Sequence, residues 1–249
     1  MPYQMMATKK SPALVVYLLD MSLSMRDEIG GRRKVDLISD ALMSVVREMV
    51  RRSTKGSAPS PRYRVAIYAY NDEVRDLLNG PRPITELLEI GVPQMKPSGQ
   101  TNTAAAFRQA EQLLIAESTG LRNCPAPLVC HLTDGQYNTD DPRPVAERIR
   151  QMTFPDGPVL VENIFFDASA LNPPVNDPYL WSGVTSAAQL ATETARQLFE
   201  MSSPVPDSYL GLFGDRGYAI KPGARMMFPG DTPEMIEAAF TMSGMTPVA

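Results

Sequence analysis

Residues 14–19, Leu-Val-Val-Tyr-Leu-Leu, are apolar without a break, and Asp20-Met21-Ser22-Leu23-Ser24 follows at once. An uninterrupted apolar run of this length reads as a strand covered on both faces, since a strand with one wet face alternates apolar and polar residues. Leu128–Leu132 reads as a second buried strand, and Val159–Phe166 as a further strand. The segments between them have a different period. Val35, Ile38, Leu42, Val45 and Met49 recur at helical spacing and predict an amphipathic helix near 35–52. Phe107, Ala110 and Leu114 predict another, with Thr103 as its cap. Strands alternating with helices constrain the chain to an α/β fold: a doubly wound, mainly parallel sheet with helices on both faces. Tyr63–Tyr70, the turn pair Asn71-Asp72 and Val74–Leu78 read as a hairpin, which supplies one antiparallel edge strand.

The remaining signals are weaker. A short helix is expected around Thr85–Ile90 within the Pro-rich stretch Gly80–Ser98. Asp141-Pro142 should begin a helix, with Pro at its first position. Ser186 and Gln189 fit a capping box for a helix running to Met201. Beyond it a short strand is expected near Tyr209–Phe213 or Tyr218–Ile220, then a helix at Pro233–Met242. No repeat or second domain is evident. The expectation is one domain over 1–249, with a core of about 12–200 and a C-terminal extension of about 201–249.

The net charge of −4 over 249 residues disfavours nucleic acid as a partner. Residues 1–62 nevertheless carry 11 Lys and Arg against 6 Asp and Glu, so a basic end sits on an acidic body. That distribution suits a charge-matched protein partner, and scattered solvated charges equally. Cys124 and Cys130 make no disulfide framework, and Cys130 reads as a buried thiol. The N-terminus has no apolar signal core, and no apolar run approaches the ~20 residues of a membrane span. A cytoplasmic location is the expectation.

Ligands of a doubly wound sheet bind beyond the carboxyl ends of its strands. Asp20, Ser22 and Ser24 lie at one such end. Thr133-Asp134-Gly135 ends another, with Gly135 permitting a tight turn. Ser98-Gly99-Gln100-Thr101-Asn102-Thr103 is a hydroxyl-rich loop before a helix at the same pole. These donors are all oxygens, which suits Mg²⁺, Mn²⁺ or Ca²⁺ rather than Zn²⁺.

Asp20-x-Ser22-x-Ser24, Gly99-x-Thr101-x-Thr103 and Thr133-Asp134-Gly135 together resemble the metal-ion-dependent adhesion site of the von Willebrand factor type A domain. The resemblance covers roughly residues 12–200. It implies that Ser22, Ser24 and Thr101 contact a divalent metal directly, Mg²⁺ foremost, with Mn²⁺ or Ca²⁺ as alternatives. Asp20 and Asp134 would be ligands directly or through water, and Thr103 would mark the helix start. It also implies a protein partner that offers an Asp or Glu to the metal, and a bacterial, intracellular setting similar to tellurite-resistance or stress-response systems. One departure is Leu23, where the family usually has a small residue between the two serines; its bulk would shape or narrow ligand access.

Around this site the basic loop residues Arg26, Arg32, Arg33 and Lys34 would attract an acidic partner; the alternative is a solvated loop. Gln136 and Tyr137 follow Asp134 directly and are candidate ligand contacts. The loop Asp167–Thr185 carries Tyr179 and the single tryptophan, Trp181, as a candidate partner-binding rim; the alternative is Trp181 tucked against the body. His131, the only histidine, reads as a hydrogen-bonded core residue. It is poorly placed as a base for Ser22 or Ser24, so a binding module is expected rather than an enzyme. The alternative is a metal-dependent hydrolase or phosphatase using the same oxygens.

Overall fold

The computed structural model describes residues 2–55, 58–91, 95–167 and 169–243. The first apolar run is β1 (Ala13–Asp20), buried at every position. It pairs in parallel with β2 (Tyr63–Tyr70) on one side, from Ala13 opposite Tyr63 to Asp20 opposite Tyr70. Two short antiparallel strands, β3 (Val74–Asp76) and β4 (Arg82–Pro83), both pair with β2. On the other side of β1 lies β5 (Leu128–Thr133), followed outward by β6 (Leu160–Phe165) and β7 (Met227–Pro229), all parallel. The seven-stranded order is therefore β7-β6-β5-β1-β2-β3, with β4 also on β2. The chain reverses its direction of travel across the sheet between β1 and β5, and that reversal opens a crevice at their carboxyl ends.

Alternation along the strands divides the core in two. Val15, Tyr17, Leu19, Ile67, Cys130 and Ile164 share one core with residues of α1 (Lys34–Ser53), α6 (Asp207–Gly214) and α7 (Pro233–Ser243). Val16, Leu18, Tyr68, Val129 and Val161 share the other with residues of α3 (Thr103–Glu117), α4 (Arg143–Gln151) and α5 (Glu193–Met201). In α1 the residues Val35, Ile38, Leu42, Val45 and Met49 are all buried, as their spacing predicts. α2 (Ile84–Ile90) forms where a short helix is expected. Cys124 and Cys130 are both free and buried. No helix among the described residues is long and apolar enough to cross a membrane.

Several local expectations are corrected. Asn102, not Thr103, caps α3: its Oδ1 accepts the Ala105 N–H at 3.1 Å. Asn is as good a cap as Ser or Thr, and Thr103 becomes the first helical residue. The helix after Asp141-Pro142 starts one residue later, at Arg143. The Ser186–Gln189 capping box exists, but it closes a separate 3₁₀ turn at Ala187–Gln189. α5 has its own cap, Thr192, whose hydroxyl accepts from Ala195 N–H at 3.1 Å. The segment expected as a strand at 209–213 is helical, within α6, and the 218–220 alternative is not a strand either. The strand beyond residue 201 is β7, three residues paired to β6. A run that short is too brief for alternation to register.

β6 also carries a carboxyl that its apolar neighbours conceal in the sequence. Glu162 is fully buried, opposite Cys130 in register. Burial pushes its pKa well above the ordinary carboxylate range. Folded protein thus holds this proton at pH values where the unfolded chain has released it. The associated stability is complete below the unfolded value of about 4.3 and declines as pH rises toward the folded one. Glu162→Gln is therefore expected to raise the melting temperature at pH 8.5 by at least about 3 °C relative to the parent, with a smaller gap at pH 5. Thermal denaturation followed by circular dichroism checks this; an equal gap at both pH values contradicts it.

Candidate metal centre

The predicted oxygens lie on segments that meet at the carboxyl ends of β1 and β5. Asp20 closes β1 and is fully buried. Its Oδ1 accepts the Ser22 N–H at 2.9 Å, and its Oδ2 accepts the Thr133 hydroxyl at 2.8 Å. Thr133 thereby ties the end of β5 to the end of β1, and its oxygen also accepts the Gly135 N–H at 2.8 Å. The chain turns after β1 into a 3₁₀ turn, Leu23–Arg26, which places the Ser22 and Ser24 hydroxyls 3.1 Å apart.

Two backbone bonds draw in the hydroxyl loop: Ser98 N–H to Met21 O at 2.8 Å, and Leu23 N–H to Gly99 O at 3.2 Å. Thr101 is only 4% exposed. Asn138 grips it from the loop after β5, accepting the Thr101 N–H at 3.1 Å and donating its own N–H to Thr101 O at 3.1 Å. Thr103 is buried with its hydroxyl 3.5 Å from that of Tyr70, as the start of α3 rather than a donor beside Thr101. Gly135 adopts φ +93°, and a Cβ there would meet Thr194 Cγ2 at 2.4 Å, so the turn that presents Asp134 requires glycine.

Charge is unbalanced at this point. Burial, together with the neighbouring Asp134 charge, pushes the Asp20 pKa up to about 6, against the lowering effect of its bonds to Ser22 and Thr133. The Asp134 side chain is 9% exposed. Its Oδ2 lies 3.2 Å from Lys34 Nζ, while its Oδ1 is buried with no hydrogen-bond partner. Leaving a charged acceptor buried and unbonded is costly. Among the described residues no cluster of three or more His, Cys, Asp and Glu side chains could hold a metal. The donor set is instead two carboxylates with three hydroxyls, all hard oxygens, and it fits a hard divalent cation.

His131 is a core residue, as expected. Its Nε2 lies 2.6 Å from the Tyr70 hydroxyl and its Nδ1 2.8 Å from Asn163 Oδ1. Asn163 spends its amide protons on Ser202 Oγ at 2.9 Å and Leu198 O at 3.3 Å, so its oxygen must accept. The ring is therefore protonated at Nδ1 and receives the Tyr70 proton at Nε2. Burial lowers its pKa to about 4, and both nitrogens are engaged away from Ser22 and Ser24.

The candidate partner residues disperse. Arg26 is exposed, with Nε and Nη2 both donating to Pro97 O at 3.0 and 2.7 Å. Arg32 and Arg33 pair with Asp40 and Asp36 on the surface of α1. Gln136 is exposed and Tyr137 half-buried in the loop after Asp134. Tyr179 stacks on Tyr218 at 5.2 Å and lines a groove with Leu37, Val45, Arg216 and Phe240, between α1 and α7. Trp181 packs edge-to-face on Phe228 at 5.7 Å, tucked against the core. Leu23 is 54% exposed, its bulk directed outward. Asn138 and the Lys34–Asp134 pair escaped the sequence reading, because a loop asparagine and a lysine among arginines carry no periodic signal.

A mainly parallel, doubly wound sheet with helices on both faces and one antiparallel edge defines a class of fold. The chain belongs to the von Willebrand factor type A domain family, whose model matches residues 15–155. No curated protein matches it. Among solved structures, the conserved hypothetical protein BatB from Bacteroides thetaiotaomicron is 11% identical with a TM-score of 0.51, over 76% of this chain and 86% of that one. The pilus adhesin SpaC from Lactobacillus rhamnosus GG is 10% identical with a TM-score of 0.60, over 96% of this chain and 31% of that one. Three N-terminal domains of the type V pili tip protein Mfa5 from Porphyromonas gingivalis are 17% identical with a TM-score of 0.40, over 51% of this chain. The chain spans 31% of the SpaC chain and 20% of the Mfa5 chain.

The glycine turn gives a direct test. Gly135→Ala is expected to cost about 1–3 kcal/mol, as a positive-φ residue with no room for its methyl group. Urea denaturation measures it, and an unchanged midpoint contradicts the strain.

Proposed function

We propose that the chain is a non-enzymatic protein-binding module that captures an acidic side chain of its partner through a divalent cation, Mg²⁺ foremost. The observation that carries this reading is the buried, unpartnered Asp134 Oδ1 near buried Asp20, at the pole where the Ser22 and Ser24 hydroxyls also lie. Asp20, Ser22, Ser24, Thr101 and Asp134 would hold the cation. When bound, the cation supplies a positive charge and a coordination position for an outside oxygen ligand. The residues here do the rest. Two carboxylates and three neutral hydroxyls leave room for further negative charge, so a partner's Asp or Glu is the complementary ligand. Thr133 and the Ser22 N–H fix both oxygens of Asp20. Exposed Leu23 beside them offers an apolar contact that selects which acidic segments approach. Arg26 adds positive charge at the rim.

A hydrolytic reading would need a base for a serine, and His131, the one histidine, is buried and committed to Tyr70 and Asn163. The bacterial, cytoplasmic, stress-response setting belongs to the same proposal, supported by family likeness alone.

Added Mg²⁺ at about 100 times its dissociation constant is expected to stabilise the fold by about 2.7 kcal/mol, reversibly with EDTA. Asp134→Ala is expected to abolish that gain. A pull-down from native lysate should lose its acidic partner both with EDTA and in Asp134→Ala. Capture indifferent to both contradicts metal-bridged binding.

A further inference from the structure

Lys34 opens α1, yet only 11% of its side chain is exposed, and its Nζ lies 3.2 Å from Asp134 Oδ2. Lysine is among the residues least often buried. The amino end of a helix is also where a positive charge is least favoured. The Asp134 carboxylate offsets both penalties. Local structure delivers the ammonium to it: the Leu23–Arg26 turn and a small hairpin, Glu28–Ile29 with Arg32–Arg33, bring the chain back. The Lys34 N–H then donates to Asp27 O at 2.9 Å. Of three consecutive basic residues, Arg32 and Arg33 pair outward with side chains 47% and 57% exposed. Lys34 alone turns inward, onto a carboxylate of the metal centre.

We propose that Lys34 is a tethered competitor for the cation: its ammonium and the divalent ion compete for the Asp134 carboxylate, so Lys34 sets how much metal the site requires. This rests on the reading of the five oxygen-bearing side chains as a metal centre. Covalent attachment gives the ammonium a high effective concentration at Asp134. It keeps that carboxylate from standing as an uncompensated buried charge. A divalent ion entering through the unpartnered Oδ1 meets a like charge a few ångströms away, in a medium that screens poorly. Metal binding therefore includes the cost of releasing Lys34. The released ammonium is left beside the position where an acidic ligand arrives, so loading the metal also adds a second positive group to the recognition surface.

Calorimetric titration of Mg²⁺ and Mn²⁺ into the full chain, Lys34→Met and Lys34→Arg tests this at fixed pH and ionic strength. Lys34→Met is expected to bind Mg²⁺ at least about tenfold more tightly than the parent, and Lys34→Arg within about threefold of it. Equal or weaker binding by folded Lys34→Met overturns the competition and leaves Lys34 as a support for Asp134. Binding by none of the three overturns the metal reading itself. Should Lys34→Met fail to fold, the parent protein still decides the matter through the lysine ammonium resonances in nitrogen-15 spectra. The resonance absent from Lys34→Arg should be protected from exchange in EDTA and lose that protection at Mg²⁺ saturation; unchanged protection overturns the proposal.

Discussion

The hydrogen bond from Thr133 to Asp20, 2.8 Å long and buried, is the contact on which the rest of the site depends. It joins the ends of two parallel strands that lie far apart in sequence and meet only because the chain reverses its direction across the sheet there. With Asp20 held from both sides, the backbone after β1 must turn at Ser22, and the Ser22–Ser24 pair follows. With Thr133 held, Gly135 must turn away, and Asp134 is presented to the same crevice. The hydroxyl loop is drawn in afterwards, by two backbone bonds and by Asn138.

The polar groups in the crevice illustrate why such sites sit at sheet ends. Within the strands, backbone groups are spent on the ladder and side chains on the two cores. At the carboxyl end the ladder stops, and oxygens are free to face a common point. The arrangement is destabilising by itself: burial and the nearby Asp134 charge make it costly to ionise Asp20, and one oxygen of Asp134 is unbonded. The Lys34 ammonium relieves part of that cost, and a divalent cation would relieve more.

Much of this was legible in the sequence, for identifiable reasons. Leu14–Leu19 admitted only a strand buried on both faces, and the 35–52 segment only a helix with one buried stripe. Asp20, Ser22, Ser24 and Asp134 were brought to one pole because strand ends point there whatever the details of packing, while Thr101 was singled out of its loop by the resemblance to the von Willebrand factor type A site. What stayed hidden depended on side-chain direction. Lys34 looks like its exposed neighbours Arg32 and Arg33 until the turn before it is built. Tyr179 and Trp181 sit on a loop leaving the same pole, yet one faces an α1–α7 groove and the other the core. Glu162 and Asn163 lie in a strand between apolar neighbours, where burial and not composition decides their protonation and bonding. Past residue 201 the elements are short, and local pattern failed to separate α6 from a strand.

The central claim is that five oxygen-bearing side chains from three segments form one cation site. Crystals grown with Mn²⁺ and measured for anomalous scattering test it most directly. The account predicts a single strong peak bounded by Asp20, Ser22, Ser24, Thr101 and Asp134, with Lys34 Nζ withdrawn from Asp134. No peak in that crevice at saturating Mn²⁺, with the Lys34–Asp134 pair intact, would contradict it.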